Sequence, residues 1–233
     1  MKQKQVKRSI EHLVEEQLSK WTLLSKEEKS PVFEPKPIIT VSREPGSGGT
    51  EIASKLSAKL KMDLISGQIS QQIAESVQMS ERVIRSLDEK EITKRDDWLT
   101  SLFETRHLWP DQFLFHLTKV IGTVGRHGNA VILGRGAQYV LPPEKTFRIR
   151  LIGPLDIRIQ RIMNAKACSR REAEQYAITT ESDRRAFIQK YFNADVTNPY
   201  DYDLFINMGK IPIDGAVDTI VVAFEAWKKE KNL

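Results

Sequence analysis

The sequence predicts an α/β fold in three layers, a parallel sheet covered on both faces by helices, and three observations lead there. Short β-branched or apolar runs alternate along the whole chain with stretches of helical periodicity. The run Ala130-Val131-Ile132-Leu133 is apolar on both faces of any strand it forms, as a central parallel strand requires. A glycine-rich loop joins the first strand directly to the helix that follows it.

Taken in order, Ile10, Leu13, Val14, Leu18, Trp21 and Leu24 recur at steps of three and four among charged residues, which describes an amphipathic helix within residues 1–30. A lone helix of this length is marginal in water. Its apolar stripe therefore packs on its own domain or on a second copy of the chain, the latter giving a homo-oligomer. Residues 29–37 (KSPVFEPKP) carry three prolines and no periodicity, and read as an extended connector. Residues 1–36 are thus an N-terminal helix with a proline-rich linker, and residues 37–233 one α/β domain.

That domain opens with the β-branched run Ile38-Ile39-Thr40-Val41, then Pro45-Gly46-Ser47-Gly48-Gly49, then a helix marked by Ile52, Ala53, Leu56 and Leu60. Met62-Asp63-Leu64-Ile65 predicts a second strand, with helical patterns at residues 68–77 and 80–87. Phe113, Leu114, Leu117, Val120, Ile121 and Val124 predict a helix over residues 111–127, stopped by Gly128. After the strand at 130–133 come a strand at 147–152, helices at 156–167 and 169–192, a strand at 204–206 and a helix at 213–227.

Bulk composition excludes several classes. With 40% hydrophobic and 29% charged residues in 233, the chain has ordinary globular balance and not the signature of disorder. No apolar run approaches the roughly 18 residues of a membrane span, and the basic N-terminus leads into no signal-like segment, which implies a cytoplasmic protein. Cys168 is the single cysteine, so neither an internal disulfide nor a cysteine metal cluster is available. The net charge of +5, from 36 basic and 31 acidic residues, suits a phosphorylated small ligand. The basic residues are not interleaved with aromatics in one stripe, which weighs against nucleic acid as a partner.

The glycine loop carries the first functional signal. A loop that wraps a polyphosphate must turn several backbone N–H groups inward, and glycine allows both the dihedral angles and the close approach. Gly46, Ser47, Gly48 and Gly49 have that character, the following helix contributes its positive N-terminal end, and the Thr50 hydroxyl stands where such loops place a Mg²⁺ ligand. Against G-x-x-x-x-G-K-[ST], Arg43 occupies the first glycine position and Gly49 the lysine position. A guanidinium at residue 43 is able to supply the positive charge that a lysine would have given.

Gly134-Arg135-Gly136 directly follows the apolar strand, and in a parallel sheet the carboxyl ends of strands line the ligand crevice. Arg135 is thereby placed on the edge that carries the glycine loop, with the geometry for bidentate capture of a phosphate. A third signal is the basic helical region containing Arg158, Arg161, Lys166, Arg170, Arg171, Arg184, Arg185 and Lys190, which as a set reads as a lid that neutralises charge once substrate is bound.

On the blocks ITVSREPGSGGTEIA, VILGRGAQYVL, RIQRIM and YDYDLFIN, in that order, residues 38–228 resemble the cytidylate-kinase-like family of P-loop nucleoside monophosphate kinases. The resemblance implies a P-loop NTPase fold, a nucleotide-monophosphate insertion around residues 63–128 and a lid around 161–185. It also implies transfer of the ATP γ-phosphate to CMP or a similar monophosphate with Mg²⁺. Gly134 and Arg135 look like the Gly-Arg of the family's Asp-Gly-Arg-Asp type sequence, with Leu133 and Gly136 where the acids would stand. Glu181 and Arg184 look like its acid-x-x-Arg lid element. On this reading the loop from Gly46 to Thr50 holds the donor phosphates and Arg135 with Gly134 and Glu181 serves the acceptor. Arg43, Arg161 and Arg184 neutralise the transferring group. Two alternatives remain open: a nucleotide-binding regulator that has lost catalysis, and a kinase for another small phosphorylated metabolite.

Overall fold

A computed structural model describes residues 36–66 and 112–233. The predicted N-terminal helix, most of the connector and the helical patterns at 68–77 and 80–87 lie outside the described residues. The chain divides into two compact units, Met1–Glu34 with Gln68–His127, and Pro35–Gly67 with Gly128–Leu233.

In the first unit the described part is one helix, α2 (Gln112–His127). Leu114, Leu117, Val120, Ile121 and Val124 are all buried, at the helical spacing the sequence displays. Thr118 and Thr123 return their hydroxyls to backbone carbonyls one turn back, so these polar groups are satisfied inside the helix.

The second unit contains β1 (Ile38–Arg43), α1 (Gly49–Leu60), β2 (Asp63–Ile65), β3 (Ala130–Leu133), α3 (Ala137–Val140), β4 (Thr146–Ile152), α4 (Leu155–Lys166), α5 (Arg170–Phe192), β5 (Leu204–Asn207) and α6 (Ile213–Lys231). Its five strands form one sheet in the order β2-β3-β1-β4-β5. Every pairing is parallel, with Val41 opposite Leu133 and Ser42 opposite Arg150. The fold is the parallel α/β P-loop fold that the sequence predicts.

Strand alternation decides what each face of this sheet buries. Ile39, Val41, Val131, Leu133, Phe147, Ile149, Leu151 and Ile206 point one way and pack with Ile52, Ala53 and Leu56 of α1 and Ala216, Val217, Ile220 and Phe224 of α6. Phe147, Phe224 and Trp227 form an aromatic cluster at centroid separations of 5.6–5.9 Å. Burying a side chain such as Phe224 contributes about 1.5–3 kcal/mol. The opposite side of the strands is more polar, with Thr40, Ser42, Thr146 and Arg150 all buried.

Element ends and one short helix depart from the sequence reading. Strand β4 begins at Thr146, and the last helix runs on to Lys231 before Asn232 turns left-handed to cap it. Helix α3 was not anticipated, because four residues are too few to show a period. It follows a turn in which Gly134, Arg135 and Gly136 all take positive φ, at 80°, 58° and 70°.

Candidate active site

Since β1 is central and β3 and β4 flank it, the loops at their carboxyl ends are neighbours by construction. The loop after β1 turns through Gly46 (φ 78°) and Gly48 (φ 89°), and Gly48 caps α1 without a side-chain bond. Both positions need glycine for space as well as dihedral angle. A Cβ on Gly46 would lie 2.4 Å from the Arg158 carbonyl oxygen, and one on Gly48 2.5 Å from Ile213 Cδ1. Among the described residues, the amides of Gly46, Gly48, Gly49 and Thr50 donate to no backbone carbonyl. Ser47 is spent inside the loop, its N–H and Oγ both directed to the Glu44 carbonyl. A row of unclaimed amides at a helix start can hold phosphate oxygens. Thr50 is exposed in the first turn of α1, where its hydroxyl could serve a phosphate-borne Mg²⁺. Among the described residues no group of three or more His, Cys, Asp or Glu could hold a metal ion.

Arg43 lies against this loop along its length. Its Cβ and Cγ stand 2.8 and 2.7 Å from where a Gly49 Cβ would be, and its Nη1 stands 2.0 Å from where a Gly134 Cβ would be. The side chain is thus threaded between two glycines, one in each loop, and its guanidinium meets the turn that carries Arg135. Arg184 of α5 donates from Nη1 to the Arg43 carbonyl at 3.0 Å. Burial pushes Arg43 down to about 9, helped by the like charges of Arg184, Arg135 and Arg150, while Tyr176 opposes them. Arg184 is lowered too, again chiefly by burial, with Arg135 and Arg150 adding to it and Tyr176 and Glu181 opposing. Arg43 and Arg184 thus stand in the mutual field of Arg135 and Arg150, which Tyr176 and Glu181 offset only in part, and a multiply charged anion would relieve it.

The helical region beyond β4 closes on the same loop. Arg161 of α4 donates to the carbonyls of Ser47 (3.4 Å) and Met208 (3.1 Å). Arg158, buried, donates from Nε to Gly153 O and from Nη1 to Glu181 Oε2 at 2.9 Å, and faces Glu44 Oε2 at 3.3 Å. Glu44 also accepts from the Gly153 amide at 2.9 Å. Glu181 gives its second oxygen to Arg185 at 2.6 Å. Helix α5 is started by a capping box between Ser169 and Glu172 and packs on α4 through Ala173, Ala177, Ile159 and Ile162.

Of the residues named from sequence, Arg43, Gly134, Arg135 and Arg184 come together beside the glycine loop, and Arg161 touches the loop itself. Glu181 instead has both oxygens on arginines of the helical region. Sequence reasoning missed Arg150 and the Glu44–Arg158–Glu181 chain. The available signal for Arg150 was a pair of arginines, Arg148 and Arg150, on one face of a predicted strand, where an unpaired charge is costly.

This fold and loop define a P-loop α/β protein. Residues 38–210 match the profile described as the cytidylate kinase-like family, and the chain belongs to that family. It is 25% identical over 184 residues to a cytidylate kinase of Ignicoccus hospitalis, covering 78% of this chain and 96% of the relative. With a cytidylate kinase of Methanocella arvoryzae it shares 28% identity over 193 residues, 82% of this chain and 99% of that one. A solved structure of an uncharacterized protein from Eubacterium ventriosum superposes with a TM-score of 0.63 at 20% identity, covering 82% of this chain and 99% of that one, which is a likeness of fold.

Proposed function

We propose that the chain is an ATP- and Mg²⁺-dependent kinase that phosphorylates a nucleoside monophosphate of the CMP or dCMP type. One observation carries the reading: the unclaimed amides of the loop and the guanidinium of Arg43 meet beside the Gly134–Gly136 turn. ATP bound at the loop supplies the γ-phosphoryl group, accompanied by its metal. The amides of Gly46, Gly48, Gly49 and Thr50 orient the donor phosphates, and Thr50 offers the metal an oxygen. Arg43 takes the part of the loop lysine, its charge reaching the transferring group from the strand side. Arg135 and Gly134 hold the acceptor phosphate in line, and Arg184 offsets the charge that spreads over the moving phosphoryl oxygens. Arg161 holds the Ser47 carbonyl so that the amides keep facing inward. Glu181 serves the acceptor side indirectly, by holding Arg158 and with it the helical region against the loop.

The kinship to cytidylate kinases supports this substrate class. A coupled assay of CMP, dCMP, UMP and AMP with ATP and Mg²⁺ tests it. Turnover with a cytidine nucleotide is the expected result. ATP binding without turnover of any monophosphate would point to the regulatory reading, which Gly49 in the lysine position favours. Turnover of a different phosphorylated metabolite would replace the acceptor and leave the phosphotransfer chemistry standing.

A further inference from the structure

Arg150 sits on β4 with 3% of its surface exposed, opposite Ser42 of β1, on the polar face of the sheet near its carboxyl edge. Its Nη1 donates to Ser42 Oγ at 2.7 Å. Tyr202 lies 3.4 Å from the same oxygen, anchored by its bond to the Val196 carbonyl at 3.0 Å, and Gln138 of α3 donates to the Tyr202 hydroxyl at 3.3 Å. The guanidinium is thus held by one neutral group, Ser42, which Tyr202 and Gln138 support in turn. Among the described residues no carboxylate pairs with it, and its Nε has no hydrogen-bond partner. A buried guanidinium with a vacant donor is costly unless an anion completes it. Arg148, two residues earlier on the same strand, shows the contrast: it forms a bidentate pair with Asp203.

We propose that Arg150, clamped by Ser42, is the floor of the acceptor subsite and binds a phosphomonoester dianion from below while Arg135 and Arg184 approach it from the turn and from α5. This rests on the kinase reading above and adds to it a residue from the sheet interior. The charge count then suits a dianionic acceptor: a neutral sugar or alcohol would leave Arg150 uncompensated. Arg43 and Arg184 both sense Arg150 electrostatically, which sets it within range of the same crevice.

The test uses the full-length protein with Arg150→Met, Arg150→Lys and Ser42→Ala. In steady-state kinetics, R150M is expected to raise KM for CMP about 10- to 100-fold while KM for ATP stays within about twofold, and R150K to recover part of the loss. S42A, which frees the guanidinium without removing it, is expected to raise the acceptor KM about 3- to 10-fold. Inorganic phosphate serves as a probe that does not depend on turnover: it should raise the melting temperature of wild type and of R150K by more than that of R150M, where only the loop is left to bind it. If wild type phosphorylates no monophosphate and phosphate protection still falls in R150M, the anion subsite stands and the kinase reading falls. If CMP is phosphorylated and R150K and S42A keep the wild-type acceptor KM, or if both substrates weaken equally, the subsite proposal is overturned. The R150K and S42A comparison decides the matter even where R150M does not fold.

Discussion

The Nη1 atom of Arg43 stands 2.0 Å from the position a Cβ on Gly134 would occupy. A side chain rooted in one loop thus uses the bare backbone of another as its seat. Gly134 also holds φ at 80°. Gly134→Ala therefore carries a left-handed penalty of about 1–2 kcal/mol and pushes the guanidinium off its place. A denaturant melt should register the modest stability loss, while donor affinity falls by a larger factor, at least tenfold. Activity that declines only in step with stability would contradict the seat.

Arg43 itself is held at a cost to the ligand-free protein. Burial and neighbouring guanidiniums push it down to about 9, well below its unfolded value. Between those two values the folded chain binds fewer protons than the unfolded one, so stability gained from this group rises with pH there, and the strain is present in full at neutral pH. Arg43→Met should accordingly melt higher than wild type at pH 7 without ligand, with the gap narrowing above pH 9. ATP should stabilise wild type, by about 2.7 kcal/mol at a hundredfold excess over Kd, and stabilise the variant less.

Glu181 joins α5 to Arg158, and Arg158 faces Glu44 in the glycine loop. With both partners largely buried, Glu181→Gln leaves a guanidinium short of one charge but still facing Glu44. A loss of about 1–3 kcal/mol is expected, visible in a urea titration. Hydrogen exchange should rise along α5 more than in the sheet, since the strands do not depend on this pair.

The two left-handed glycines of the loop should differ in their tolerance of alanine. A Cβ on Gly46 meets the backbone of Arg158, whereas one on Gly48 meets the end of the Ile213 side chain. Both share the left-handed penalty of about 1–2 kcal/mol. Gly46→Ala should be the more destabilising of the pair by a further 1 kcal/mol or about that, because backbone cannot swing aside. Thermal melts of the two variants decide it.

Much of this arrangement was legible in the residues. The strand, loop and helix from Ile38 to Leu60 announce themselves by a change from β-branched to helical spacing across three glycines, and Arg135 follows a strand too apolar to be anything but central. What was not legible depends on distance through space. Sheet order is fixed by which strands pair, and nothing in Ile38-Ile39-Thr40-Val41 states that β3 and β4 are its neighbours. Arg148 and Arg150 look alike in the sequence, two arginines on one face of one strand. Only the position of Asp203 separates them, by pairing with the first and leaving the second to Ser42. Helix α3 and the Glu44–Arg158–Glu181 chain escaped for a similar reason, since each is set by a tertiary partner and not by a local pattern.

Gly49 has a consequence for redesign. Its missing Cβ is the space that the stem of Arg43 fills, at 2.7 Å. On the proposed reading one cation reaches the donor phosphates from the end of the strand or from the start of the helix, and the two seats exclude each other. Installing lysine at residue 49 alone should evict Arg43 and impair the protein, whereas the exchange Arg43→Gly with Gly49→Lys should work better than either change by itself. Such sign-reversed coupling would make the loop a pair of interchangeable solutions to one problem of charge delivery, separated by a valley that no single substitution crosses.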